Sequence, residues 1–239
     1  MAVSGRLLDH YYPDFSRSGT LAFYDWLDGA LRPDWEILNL GAGRPCRQRE
    51  RVLKGRVRQL VGADIDSAVL ANDEVDEAHL VRAGRLPFRA GRFDLIYSDW
   101  TLEHVERPRQ FLGEVHRVLR PGGQFFFRTS NLFHYSYLAA WLLPNRLHPP
   151  IVARARGLDG DRVCRSAPAF YRMNTAPGLE RLAEEAGFAE TEIRFFEPEP
   201  AYVRFNDLSF LLGVAYERLV NAFEQFQNLR ASILGRMRK

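Results

Sequence analysis

A hydrophobic run, Ile37-Leu38-Asn39-Leu40, opens into the turn Gly41-Ala42-Gly43. About twenty residues later a second run, Val61-Gly62-Ala63, ends in Asp64-Ile65-Asp66. Glycines at a strand end let the backbone pass close to a ligand, and an acid at the next strand end accepts hydrogen bonds from two ribose hydroxyls. This is the chemistry of a nucleoside site. A dinucleotide fingerprint needs a third glycine, yet Gly43 is followed by Arg44-Pro45-Cys46-Arg47. No Gly-x-x-x-x-Gly-Lys-Ser/Thr phosphate loop occurs either. The pattern suits an adenosine ligand without a phosphate chain, of which S-adenosylmethionine is one. Asp66, two residues past Asp64, has the alternative role of capping the next helix.

Further blocks follow in fixed order: Arg85-Leu86-Pro87-Phe88, Arg92-Phe93-Asp94-Leu95-Ile96-Tyr97-Ser98, Leu102-Glu103-His104-Val105, Phe111 through Gly123, and Arg128-Thr129-Ser130-Asn131. In these blocks the chain resembles the class I S-adenosylmethionine-dependent methyltransferases, specifically the small type 11 group, across residues 36–188. The resemblance implies methyl transfer from S-adenosylmethionine, with S-adenosylhomocysteine as product and no metal. It also implies a Rossmann-like α/β fold: a doubly wound, seven-stranded, mostly parallel sheet with helices on both faces. On that reading Gly41, Ala42 and Gly43 approach the aminocarboxylate, and Asp64 with Ile65 holds the ribose side. Asn39 stands where relatives often carry Asp, which makes this strand end less acidic. Relatives commonly place an acid before the Leu-Pro-Phe segment to bind the adenine amino group, but here that position is Arg82, which cannot accept a hydrogen bond. The backbone of Ala83 and Gly84, or another side chain, is then expected to read the adenine.

Methyl transfer from a sulfonium is an in-line displacement, and orientation alone can supply roughly 7–11 kcal/mol. A general base adds about 10²–10⁴-fold where the acceptor loses a proton. Ser98, Asp99 and Trp100 end the fourth predicted strand, where open α/β sheets bind ligands. Ser98 and Trp100 are expected beside the cofactor, Trp100 facing the sulfonium by cation–π attraction or packing as wall. Asp99 is a catalytic candidate. His104, whose unperturbed pKa suits neutral pH, is the leading general-base candidate, a structural histidine being the alternative. His134-Tyr135 and Tyr171-Arg172 with Asn174 are expected to line the acceptor pocket, with His134 and Tyr171 as further catalytic candidates. The arginines at 154, 156, 162 and 165 suit an anionic acceptor or a solvated loop face.

Positioning these groups requires alternating strands and helices. A leading amphipathic helix is expected within residues 1–34, ending near Arg32-Pro33. Strands are predicted at 36–40, 57–63, 77–81, 93–98 and 124–129, with helices at 47–54, near 67–72 and at 108–119. Arg120-Pro121-Gly122-Gly123 is read as the stop of the last of these. Residues 132–174 exceed what a connection needs and are read as an acceptor-lid insertion after strand five. Thr175 is then expected to cap a helix that stops at Gly187. Strands near 190–196 and 201–205 and a helix at 207–226 close the chain, with 207–239 as a helical tail.

At 239 residues and 46% hydrophobic content, residues 1–239 are expected to form one domain. The formal charge is only +3, and lysine occurs only at positions 54 and 239, so no nucleic-acid footprint is indicated. Cys46 and Cys164 have no paired spacing for a disulfide framework or a zinc site. No secretory leader or run of ~18 apolar residues is evident, so the cytoplasm is the expected compartment. The acceptor is expected to be a small molecule, methylated at a hydroxyl of a natural product, sugar or lipid-linked intermediate. The alternatives are a non-catalytic binding or partner subunit, and peripheral membrane contact through the apolar tail.

Overall fold

The computed structural model describes residues 5–13, 18–82, 84–143 and 168–239. Five segments become parallel strands: β1 (Glu36–Leu40), β2 (Gln59–Asp64), β3 (Glu77–Leu80), β4 (Phe93–Asp99) and β5 (Leu119–Ser130). Two more, β6 (Glu190–Phe196) and β7 (Ser232–Arg238), complete a sheet of order β3-β2-β1-β4-β5-β7-β6. β7 runs antiparallel to both β5 and β6, and the other pairs are parallel. Strands β1, β4 and β5 are buried on both faces, which is why they read as near-continuous hydrophobic runs.

Helices cover both faces. α1 (Gly5–Tyr11) precedes α2 (Gly19–Asp28), whose first turn is capped by Ser18 Oγ accepting from Leu21 N. α2 buries Phe23, Tyr24 and Leu27 against Leu95, Tyr97 and Phe126. On the opposite face, α3 (Pro108–Val118) buries Leu112, Val115 and Val118. Beyond α4 (Tyr135–Leu142), helix α5 (Ala176–Ala186) packs beside α3 through Leu179, Leu182 and Ala183. Gly187, at φ 87°, ends α5 in the left-handed region, as its sequence position implied. The long α6 (Asp207–Ala222) carries a capping box between Asn206 and Ser209.

Several expected elements take a different form. Residues 47–54 hold only a single 3-10 turn, Arg49–Arg51. The amides of Cys46 and Arg47 donate to the Glu74 carboxylate at 2.8 and 2.7 Å, and Arg47 has φ 59°, so no helix can start there. α3 ends before Arg120-Pro121-Gly122-Gly123, and β5 already begins at Leu119. The Pro-Gly-Gly residues absorb a register shift between the Phe93–Leu119 and Leu95–Gln124 pairs. Thr175 occupies the cap position of α5 but makes no side-chain cap bond. The segment expected as a strand at 201–205 is a 3-10 turn, Ala201–Val203; the seventh strand lies instead in the tail, at β7. The tail helix stops at Ala222, and a 3-10 turn, Glu224–Leu229, leads into β7. Of the segment read as a lid, residues 144–167, with their arginines and Cys164, lie outside the described residues.

Gly235 lies opposite Phe127 in the β5–β7 pair, and a Cβ there would overlap the Phe127 ring. Gly235→Ala is therefore expected to destabilise the fold by about 1–3 kcal/mol through overpacking. Urea denaturation measures this; an unchanged midpoint would show that the Phe127 ring has room to move.

Candidate active site

A cavity of about 580 Å³ opens at the carboxyl ends of β1, β2 and β3. Leu40 and Gly41 line it from β1, Asp64 and Ile65 from β2, and Val81 and Gly84 from beyond β3. The glycine turn is held rigidly. Gly41 N donates to Ala63 O at 2.8 Å, and Asn72 Nδ2 donates to the carbonyls of Ala42 and Gly43 at 3.2 and 3.1 Å. Asp64 Oδ2 accepts from Gly43 N and Oδ1 from Asp66 N, both at 2.8 Å. A carboxylate has about four lone-pair directions, so each oxygen keeps capacity for a ribose hydroxyl. Asp66 meanwhile caps the turn Ser67–Ala71 by accepting from Ala68 N at 2.9 Å.

The other expected cofactor residues fall into two groups. Gly41, Asp64, Ile65 and Gly84 line the cavity, as does His104. Ser98 is buried with its hydroxyl donating to Leu40 O at 2.7 Å, and Asn39 sits within β1 between Gly62 and Tyr97. Ser98 thus stiffens the strand ends and is closed to a ligand. Ala83 lies outside the described residues. Arg82 bridges Arg85 and is absent from the lining, whereas the Gln110 carboxamide lies against Gly84 inside the cavity. Gly41, at φ 89°, is required for a further reason: a Cβ there would overlap the Thr101 hydroxyl. His104 points Nδ1 at Pro168 O, 3.0 Å away, so a donating Nδ1–H leaves Nε2 unprotonated.

Asp99 is not free to act as a base. Its Oδ1 accepts from Arg128 Nε at 2.6 Å, and its Oδ2 accepts from Arg128 at 2.8 Å and from Arg51. The Tyr24 hydroxyl donates to the same oxygen at 3.4 Å. Burial, and then the Asp99 charge, push the Tyr24 phenol well above its usual range. The catalytic expectation for Asp99 is therefore corrected: it is the hub of a buried ion cluster. Trp100, next in chain, has φ 57° and holds Arg128 over its ring at 5.1 Å. Its indole faces away from the 580 Å³ cavity, which Thr101 lines instead.

Beyond Trp100 lies a second cavity of about 320 Å³. Its wall includes Tyr12, Tyr135, Tyr137 and Tyr202, with His134 and Glu197 among them. The His134 and Glu197 side chains are 2% and 3% exposed, and Nε2 stands 3.3 Å from Glu197 Oε1 without an aligned hydrogen bond. Nδ1 lies 2.7 Å from Ser136 Oγ, and Glu197 Oε2 accepts from Ala231 N at 2.6 Å. Nδ1 also accepts from Ser136 N at 3.4 Å, which caps α4, so the proton of the neutral ring sits on Nε2, facing Glu197 Oε1. Tyr171 lines neither cavity; burial, then the nearby Glu103 carboxyl, pushes its phenol up to about 12, so it is a poor proton acceptor. Arg172 donates to Glu106 O, and Asn174 is buried against Thr129 and Ser130. Glu197, Gln110 and Arg51 did not stand out in the sequence, and Arg128 did so only as part of the block Arg128-Thr129-Ser130-Asn131. Glu197 alone left a local trace, as an acid closing a strand before Pro198 and Pro200.

With this geometry in place, comparison with known proteins is specific for part of the chain. Residues 38–127 match the family described as Methyltransferase domain. A ubiquinone biosynthesis O-methyltransferase of Aromatoleum aromaticum is 28% identical over 161 residues, 60% of this chain and 68% of the relative. An EEF1A lysine methyltransferase 4 of Bos taurus is 32% identical over 149 residues, 52% of this chain and 55% of the relative. The chain thus spans from about half to two thirds of the length of these relatives. Among solved structures, a SAM-dependent methyltransferase from Archaeoglobus fulgidus superposes with a TM-score of 0.57 at 15% identity, covering 98% of this chain and 99% of the other. At that identity the likeness concerns the fold.

Proposed function

We propose that this chain, a class I S-adenosylmethionine-dependent methyltransferase by fold and by its methyltransferase domain, methylates a hydroxyl of a small-molecule acceptor held in the tyrosine-lined cavity. The observation that carries this reading is the placement of the His134–Glu197 pair. It is buried among aromatic rings on the far side of the Trp100-Thr101 segment from the Asp64 cavity. S-adenosylmethionine supplies an electrophilic methyl group on its sulfonium. The donor set of the larger cavity fits that cofactor. Asp64 suits the ribose hydroxyls, while Leu40, Ile65, Val81, Leu86 and Phe111 form apolar walls for a purine. Gln110 carries both an acceptor and donors, and so offers the adenine edge what Arg82 cannot.

On the acceptor side, Tyr135, Tyr137 and Tyr202 orient the substrate, and orientation is the larger part of catalysis in a displacement. The Glu197 carboxylate takes the hydroxyl proton, and the His134 Nε2–H, 3.3 Å from Oε1, orients it. His104 stays on the cofactor side, where its role is to line the purine cavity. The ubiquinone relative acts on oxygen by its name, which agrees with a hydroxyl acceptor; the lysine methyltransferase by its name acts on nitrogen. Incubation with labelled S-adenosylmethionine and parallel sets of phenols, sugars and amines tests the reading. Label is expected in the hydroxyl set, and label confined to amines would refute an oxygen acceptor.

The cofactor assignment has its own test. Titration calorimetry is expected to show saturable binding of S-adenosylmethionine and S-adenosylhomocysteine. Asp64→Ala is expected to weaken both by roughly 1.5–3 kcal/mol, the worth of hydrogen bonds to a charged group. Unchanged affinity would remove Asp64 from the ribose site.

A further inference from the structure

Only a single 3-10 turn follows the glycine turn where a helix was expected, so much of what holds the turn comes from elsewhere in the chain. Asn72 and Glu74 supply it, just past the 3-10 turn Ser67–Ala71 that leads away from Asp64. The Glu74 carboxylate accepts from the amides of Cys46 and Arg47, beyond the glycines. Asn72 is buried and grips the turn itself. Its Oδ1 accepts from Glu74 N at 3.0 Å, which fixes the carboxamide so that Nδ2 faces the glycine turn. Nδ2 carries two hydrogens, and the carbonyls of Ala42 and Gly43, at 3.2 and 3.1 Å, take one each.

We propose that Asn72 is a positioning residue for the cofactor, acting on the Asp64 carboxylate through the Ala42–Gly43 peptide. That peptide unit is gripped at both ends. Its carbonyl accepts from Asn72, and its N–H, on Gly43, donates to Asp64 Oδ2 at 2.8 Å. The grip matters because this unit can turn over at little cost. Rotating a peptide plane changes ψ of the residue before it and φ of the residue after it, and Gly43, at φ 50°, tolerates either sign. A turned-over peptide would aim the Ala42 carbonyl at the Asp64 carboxylate and take away its donor. Asn72 stabilises the orientation in which the N–H faces Asp64, and so holds Oδ2 where a ribose hydroxyl can reach it. The backbone N–H of Asn72 also closes the 3-10 turn on Val69 O at 2.9 Å, so this residue ties the loop after β2 to the loop after β1. Both loops border the 580 Å³ cavity. The inference rests on the ribose reading of Asp64.

Titration calorimetry of the full chain with S-adenosylhomocysteine tests it in a double-mutant cycle. Asn72→Ala is expected to weaken binding about tenfold, the effect of losing two hydrogen bonds. Placed on Asp64→Ala, the same substitution is expected to change affinity by less than about twofold, because the carboxylate it positions is gone. A residue that merely supports the fold would cost the same on both backgrounds. Should Asn72→Ala fail to fold, Asn72→Ser gives the same readout: its hydroxyl keeps the turn to Glu74 but has one hydrogen to donate instead of two. Additive losses overturn the proposal and leave the ribose reading standing. So does unchanged affinity in the Asn72 variant beside a weakened Asp64→Ala protein. Unchanged affinity in Asp64→Ala overturns both.

Discussion

Replacing Glu197 by glutamine is expected to lower turnover about 10²–10⁴-fold while cofactor affinity stays unchanged. The loss follows from its position: the carboxylate lines the tyrosine-lined cavity beside His134 Nε2, with its side chain only 3% exposed. Cofactor affinity is preserved because Glu197 is absent from the Asp64 cavity. Glutamine keeps a polar group beside His134 but cannot take up a proton, so the substitution isolates proton transfer from packing. His134→Gln should follow in the same direction with a smaller loss, since it removes only the ring that orients the carboxylate. Single-turnover rates with saturating cofactor measure both. A Glu197→Gln enzyme that turns over normally, paired with a crippled His104→Gln enzyme, would move the base to the cofactor side.

The largest stability effect is expected at Asp99. Asp99→Ala leaves Arg128, with a side chain only 3% exposed, and Arg51 without their carboxylate. Breaking a buried pair by removing one partner costs about 3–5 kcal/mol, because the remaining charge is left in a low-dielectric interior. In a domain of this size that corresponds to a fall in melting temperature of roughly 6–20 °C. The cluster joins three elements, since Arg51 comes from the loop after β1, Asp99 from β4 and Arg128 from β5. Its loss should therefore loosen the strand ends that frame both cavities. Calorimetric melting, read beside turnover, decides the role. A variant of normal stability with lost turnover would return Asp99 to the chemistry.

The lining of the larger cavity was legible where its residues are local. Gly41, Gly43 and Asp64 sit at the ends of adjacent strands, and a glycine turn or a strand-end acid leaves its trace within a few residues of sequence. Family blocks in fixed order carried the sheet in the same way. The tyrosine-lined cavity was legible only in part. His134 was named from its place just after β5, but its partner Glu197 lies 63 residues further on, with β6 between. Gln110 was missed because a polar residue in the first turn of an amphipathic helix looks like any solvated position.

From the sequence alone came what depends on short-range spacing: the five parallel strands, the glycine turn and the α5 stop at Gly187. Tertiary structure alone decided which side chains share an environment. It turned Asp99 from a candidate base into an ion-pair hub, because two arginines from distant segments converge on its carboxylate. It moved the seventh strand to Ser232–Arg238, where Gly235 gives Phe127 the room a side chain would deny. It also placed His134 and His104 on opposite sides of Trp100 and Thr101. Burial and charge pairing are properties of neighbours in space. A chain read one residue at a time records which groups exist, while the fold determines which of them meet.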